Sequence, residues 1–220
     1  MRILVISDTH LSKFDQSKFD FLKKIISKSD RVIINGDLIE GWLISGEEFV
    51  NSRWSQLFPL LLEKETVYIR GNHEKSITLD IANCFSVKFF DIYQDCIENQ
   101  KFVFEHGHRI LSENKSVLIK LYDWIIGLNI ISILWSLIRL EDLLCILFPT
   151  LSQQNFLGKK QNIVLKNYHN RKDTFLITSH THTPELNIKD KFANTGRIRR
   201  GSASYILINN GNVELIKTQY

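Results

Sequence analysis

Cysteine is sparse in this sequence, and what there is does not pair. Only Cys84, Cys96 and Cys145 occur in 220 residues. Their number is odd and none stands in a C-x-x-C spacing, so neither a disulfide framework nor a thiolate zinc site is indicated, and a reducing compartment is expected. Charge of one sign is also in short supply: the formal net charge is +4, from 28 Lys and Arg against 24 Asp and Glu. That mild excess suits an anionic substrate or an anionic lipid surface but is too small to argue for nucleic acid, and no nucleic-acid partner is expected. A bilayer span needs about 20 apolar residues, and the uncharged stretch from Trp124 to Ile138 falls short of that. The run Met1 to Asp8 lacks the charged, hydrophobic and cleavage regions of a signal peptide. It reads as a first strand, with cytoplasmic residence expected. There is no internal repeat and no low-complexity linker.

What is present is ordinary globular material, 44% hydrophobic and 24% charged, which predicts one catalytic domain over 1–220 with a well-buried core. Ile3 to Ile6, Val32 to Ile34 and Val67 to Ile69 are short apolar runs, each ending at a loop with Asp, Gly or Asn. This is the βαβ rhythm of a sheet buried on both faces, in which ligands gather at the carboxyl ends of the strands. Helical spacing is found over Phe14 to Lys28 and Glu47 to Lys64, the second interrupted or ended near Pro59. After Glu74 the texture turns to strands: Val87 to Asp95, Lys101 to Glu105, Thr174 to Thr178, Leu186 to Phe192, Ser204 to Asn209 and Val213 to Lys217. Asn209-Asn210-Gly211-Asn212 predicts a hairpin turn, because Asn and Gly tolerate positive φ. The fold class is therefore α/β, of the α+β four-layer kind: two packed mixed β-sheets flanked by helices.

The region from about 116 to 151 stands apart as an apolar, helical insertion. Lys120, Asp123 and Gly127 share one helical face and Asn129, Ser132, Ser136 and Arg139 another, which predicts two amphipathic helices meeting near Gly127-Leu128-Asn129.

Potential metal ligands sit in every strand-end loop of the first half: Asp8-Thr9-His10, then Gly36-Asp37, then Gly71-Asn72-His73-Glu74. Later loops add His106-Gly107-His108 and His180-Thr181-His182. Six of the seven histidines fall in these loops. Groups of these types, gathered at strand ends, can hold divalent metal ions. Imidazole, carboxylate and amide without thiolate suit manganese, iron, zinc or cobalt, with manganese favoured.

In order, these motifs (DxH, GD, GNH followed by an acid, HGH and HTH) resemble the five motifs of the calcineurin-like metallophosphoesterase superfamily, from Asp8 to His182. The resemblance implies that Asp8, His10, Asp37 and His182 bind one metal and that Asp37, Asn72, His106 and His180 bind the other, Asp37 bridging. It makes His73 the catalytic residue that protonates the leaving oxygen or stabilises developing charge, with Glu74 as its acidic neighbour. His108 is expected to support its loop or pack near the second metal rather than bind it, and His169 to be a solvated surface residue. Ser179 stands where the family usually has Gly before HTH, a departure expected to restrict the loop. Asn194-Thr195-Gly196 resembles a late turn of the family that returns the chain beneath the site. Arg197, Arg199 and Arg200 beyond it are candidate substrate-binding residues for a second phosphate.

Gly36-Asp37-Leu38-Ile39-Glu40-Gly41-Trp42 looks like the GDxxExW stretch of the UDP-2,3-diacylglucosamine diphosphatases, which also carry a helical insertion after the HG motif. Those enzymes usually have Arg at the position of His73 and HGD in place of His106-Gly107-His108. The leading reading is hydrolysis of a phosphoanhydride or phosphodiester by metal-activated water, the substrate a phosphorylated small molecule or a lipid-linked nucleotide such as a UDP-diacylglucosamine. The alternatives are a soluble phosphodiesterase or phosphatase acting on nucleotides or phosphoproteins, and a non-catalytic interaction scaffold. For the insertion, two readings stand side by side. One is a lid touching acyl chains or the inner face of the membrane, aided by Lys115, Lys120, Arg139, Lys159 and Lys160; the other is helices packed on the domain or in a dimer contact.

Overall fold

The computed structural model describes residues 1–74, 77–113, 156–169 and 173–220. The lid expected at 116–151 lies outside the described residues.

The strands are β1 (Arg2–Ile6), β2 (Arg31–Asn35), β3 (Val67–Ile69), β4 (Lys88–Phe90), β5 (Ile92–Ile97), β6 (Gln100–Glu105), β7 (Thr174–Thr178), β8 (Glu185–Asn187), β9 (Phe192–Asn194), β10 (Ile198–Arg199), β11 (Ser202–Asn209) and β12 (Asn212–Gln219). The helices are α1 (Gln16–Ser27), α2 (Gly46–Val50), α3 (Phe58–Glu63), α4 (Leu79–Asn83), α5 (His108–Glu113) and α6 (Phe156–Tyr168), with a 3₁₀ turn at Arg53–Leu57. One sheet runs β10-β11-β1-β2-β3-β4, with β12 on the far edge of β11; the other runs β5-β6-β7-β9-β8. Within them β1, β2 and β3 are parallel, as are β6, β7 and β9.

Alternation along the strands decides which layer each side chain joins. Ile3, Val5, Ile33, Val67 and Ile69 meet Phe102, Phe104, Phe175 and Ile177 in the seam between the sheets. The opposite face of the first sheet, with Leu4, Ile6, Val32, Ile34 and Tyr68, buries Phe19, Leu22 and Ile26 of α1, Phe49 of α2 and Leu61 of α3. Val103 and Leu176 on the outer face of the second sheet pack against Ile110 and Leu111 of α5 and Leu165 of α6. Hence the four layers, helix, sheet, sheet, helix.

Local chemistry sets the helix boundaries. Asp15 caps α1 by accepting from Lys18 N at 3.1 Å, and Ser45 with Glu48 forms a capping box on α2. Pro59 does not end a helix, as its position in the sequence pattern suggests; it stands in the first turn of α3, where the missing N–H costs nothing. Two long strand readings are each divided. The chain leaves the first sheet after Phe90 and enters the second at Ile92, and Leu186 to Phe192 contains a turn at Lys191, φ 48°. The hairpin at Asn210-Gly211 forms as expected, with φ of 45° and 79°.

Candidate active site

Five loops leave the carboxyl ends of β1, β2, β3, β6 and β7 and converge at one end of the seam. Asp8 and His10 follow β1, Asp37 follows β2, Asn72 and His73 follow β3, His106 follows β6, and His180 and His182 follow β7. All the sequence-predicted ligands and His73 are thereby brought together. Among the described residues, three sets of acidic and imidazole side chains offer ligand atoms within 4.8 Å of one another: Asp8, His10 and His182; His10, Asp37 and His73; Asp37, His106 and His180. Asp37 belongs to two of them.

The loops reach this arrangement against local backbone preference. Asp8, His10, Asp37, His180 and His182 all have left-handed φ, of 47°, 45°, 51°, 66° and 55°. Each such residue costs about 1 to 2 kcal/mol relative to the right-handed region, so tertiary contacts must hold it. Glu74 is the chief of these. Its buried carboxylate accepts from Asp37 N at 3.0 Å, Gly71 N at 2.6 Å and Ile39 N at 3.4 Å, and from Leu38 N as well. On the other side Ser7 Oγ and His180 N donate to Asp8 Oδ2 at 2.5 and 3.2 Å. Lys18 of α1, buried, donates to Thr9 O. Gly36 and Gly71 admit these close approaches, since a Cβ would fall 2.3 Å from His106 Nδ1 at the first and 2.1 Å from Asp37 Oδ1 at the second.

Glu74 therefore is not the partner of His73. That place belongs to Glu40, three residues beyond Asp37, whose Oε1 lies 2.5 Å from His73 Nδ1 and whose Oε2 lies 3.1 Å from His10 Nδ1. One carboxylate thus meets two imidazoles at Nδ1, His73 by a hydrogen bond and His10 by an ion-pair contact, and leaves both Nε2 atoms for the site, the device by which ligating histidines are oriented. Sequence reading quoted Glu40 only as part of a motif. The available signal was an acid three residues after a ligand. Burial would raise the Glu40 carboxyl, but the bonds to His10 and His73 bring it down to about 2. Burial would lower His73, and Glu40 with Asp37 raises it above the ordinary imidazole value. Trp42, 55% exposed, stacks on the His73 ring at 4.4 Å.

His106 is oriented in the same way, its Nδ1 lying 2.9 Å from both Asn35 O and Ser179 Oγ. Ser179 also donates to Asn35 O at 2.6 Å and has no left-handed φ. The absence of Gly there restricts nothing, and the hydroxyl is used. His108 opens α5 half-buried against the His106 and His180 rings, at 5.4 and 6.2 Å, and belongs to none of the three sets. His169 is not a free surface residue: its Nε2 meets Thr174 Oγ1 at 2.9 Å, tying the end of α6 to β7. Of the three arginines, Arg197 lines a groove beside His182. Arg199 acts on Lys18, whose ammonium burial and that charge push down to about 7. Arg200 is exposed in a turn at φ 56°.

A sequence model of the family described as calcineurin-like phosphoesterase matches residues 1–196. The chain belongs to that family. No curated protein matches it in sequence. Among solved structures, the E. coli phosphoesterase Yfce is 18% identical, with 96% of this chain and 89% of that one covered and a TM-score of 0.49. Vps29 of Entamoeba histolytica, complexed with zinc, is 17% identical over 100% and 99%, TM-score 0.49. The Pseudomonas putida nuclease MPE is 11% identical over 97% and 87%, TM-score 0.42. At such values these likenesses carry no argument about function.

The residues fit the metal ions typical of this family. Atoms bound about 2.1 Å from a common ion lie roughly 3 to 3.4 Å from one another. Here His182 Nε2 is 3.1 Å from Asp8 Oδ1 and 3.4 Å from His10 Nε2, while His106 Nε2 is 3.2 Å from Asp37 Oδ2 and 3.1 Å from Asn72 Oδ1. Asp8 Oδ1 is buried and, among the described residues, accepts no hydrogen bond despite its imidazole neighbour. Burial would raise its carboxyl, yet His182 draws it down to about 2. Burial would raise Asp37 too, and His106, His73 and His10 hold it low. Both carboxylates are thus ionised near neutral pH.

Proposed function

We propose that this chain is a dinuclear-metal phosphoesterase that hydrolyses a phosphoanhydride or phosphodiester bond. Asp8, His10, Asp37 and His182 hold one ion, and Asp37, Asn72, His106 and His180 hold the other. The observation that carries this is that Asp37 belongs to two candidate ligand sets, one with His10 and His73 and the other with His106 and His180, so that a single carboxylate is shared between them. When bound, the ions supply Lewis acidity and an activated water as nucleophile. The chain's own part is positioning and proton transfer. Glu40 holds His73 so that its Nε2 faces the site, 3.9 Å from Asp37 Oδ2, and the protonated ring donates to the leaving oxygen. Trp42, stacked on that ring, covers one of its faces.

The finer reading is a lipid-linked nucleotide such as a UDP-diacylglucosamine, with manganese as the metal. It is supported by the Gly36 to Trp42 stretch, whose Glu40 and Trp42 both touch His73, and by the apolar composition of 116–151. No helix among the described residues is long and apolar enough to cross a membrane; contact with the inner face of a membrane through 116–151 is part of the proposal. A panel of phosphodiesters, phosphomonoesters and diphosphate esters assayed with manganese, zinc and magnesium tests it. Metal-dependent turnover of at least one class is expected, with the acylated nucleotide preferred over its deacylated form. Absence of turnover across the panel in metal-loaded protein would overturn it.

A further inference from the structure

Next to His182 the surface opens into a groove of about 680 Å³, and no acidic residue lines it. Two cations do, Arg197 and Lys217, together with the hydroxyls of Thr183, Ser202 and Ser204. They come from two distant parts of the chain, and the sheet puts them side by side. Ser204 on β11 is the register partner of Lys217 on β12, and directly opposed residues of an antiparallel pair share a face. Ser204 Oγ in turn accepts from Arg197 N at 3.0 Å and lies 3.3 Å from Arg197 O. Arg197, Ser204 and Lys217 thus form a row.

The row is fixed relative to the ligand loops. The turn carrying Arg197 is tied on both sides of it to the loop after β1: Thr195 Oγ1 lies 2.5 Å from Ser7 Oγ, and Ile198 N donates to Asp8 O at 3.4 Å. At Gly196 a Cβ would stand 2.0 Å from Ser204 Oγ, and φ is 75°, so the turn accepts no side chain there. Among the described residues no carboxylate comes within ion-pair distance of the Arg197 guanidinium or the Lys217 ammonium. An arginine offers bidentate donors and a lysine a compact charge, the pair suited to a phosphoryl group.

We infer that this groove is an anion subsite that receives a second phosphoryl group of the substrate, beyond the phosphorus attacked at the metal centre. The inference rests on the phosphoesterase reading above and narrows its substrate class to esters of diphosphate. It assigns the role to Arg197 and Lys217, leaving Arg199 and Arg200 outside.

The test is calorimetric titration of the metal-loaded full chain with methylphosphonate and with methylenediphosphonate, which carries the second phosphoryl group and is not hydrolysed. The parent is expected to bind the diphosphonate more tightly, and Arg197→Gln with Lys217→Gln together to reduce that preference about tenfold or more. Lys88→Gln, the loss of one such charge on an exposed residue of β4, controls for long-range electrostatics. Arg197→Lys should recover part of the preference if the double variant folds poorly. An unchanged ratio in a folded, metal-replete double variant, or an equal fall in Lys88→Gln, overturns the subsite. Hydrolysis of bis(p-nitrophenyl) phosphate by the parent is measured alongside. Turnover with an unchanged ratio removes the groove alone, whereas a fallen ratio without turnover of any ester removes the phosphoesterase reading and leaves the groove.

Discussion

The two ends of the same strands are built on different rules. At the amino ends, two tight hairpins carry left-handed residues: Glu98 and Asn99 between β5 and β6, Asn210 and Gly211 between β11 and β12. There positive φ matches the twist of the paired strands, and Asn or Gly supplies it cheaply. At the carboxyl ends of β1, β2 and β7 the left-handed residues are Asp8, His10, Asp37, His180 and His182. These close no hairpin, and hydrogen bonds from other loops hold four of them: Asp8 N donates to Gly36 O, His10 N to Asp37 O, Asp37 N to Glu74 and His180 N to Asp8 Oδ2. Strain at the amino ends serves the fold; strain at the carboxyl ends aims ligand atoms.

Substitutions at the two ends should therefore separate. The largest effect is expected for Asp37→Ala, which removes the carboxylate common to both ligand groups. Steady-state kinetics should show kcat/KM down by about a thousandfold or more, and metal analysis should show both ions lost. Next is His73→Gln, for which kcat should fall roughly a hundredfold to a thousandfold, as for loss of a transition-state donor, while both ions stay. Loss of metal in that variant would show that His73 is a ligand.

Glu40→Gln is expected to be milder. The amide keeps an acceptor for one imidazole only, so metal affinity or kcat should fall about tenfold to a hundredfold, with the loss in affinity confined to the ion held by His10. The smallest effect belongs to the other end. Gly211→Ala forces a Cβ into φ 79° and 3.2 Å from Glu98 Cβ, so it should cost about 1 kcal/mol and roughly 2 to 4 °C in Tm, without change in kcat/KM. A loss of activity there, or its retention in Asp37→Ala, would erase the distinction between the ends.

Strands β1, β2, β3 and β7 could be read from the sequence because each is a continuous apolar run buried on both faces. The turn at Asn210-Gly211 was legible from its residue types. Periodicity does not say which sheet a strand joins, so the change of sheet at Asp91 was invisible, and Pro59 can as well start a helix as stop one. The order of the five loops pointed to one site. The supports of that site were not legible, because they are long-range: Glu74 binds the backbone of Asp37 across 37 residues, and Ser179 binds Asn35 across 144. Lys217 could not be linked to Arg197 without the pairing of β11 and β12.

The most direct test of the account is the metal content of the purified full chain after loading with manganese and removal of free ion, measured in parallel for the parent and Asp37→Ala. The account predicts about two ions per chain in the parent and neither in the variant, with thermal unfolding showing that the variant is folded. One ion per chain in an active parent, or a folded Asp37→Ala variant that keeps both, would contradict it.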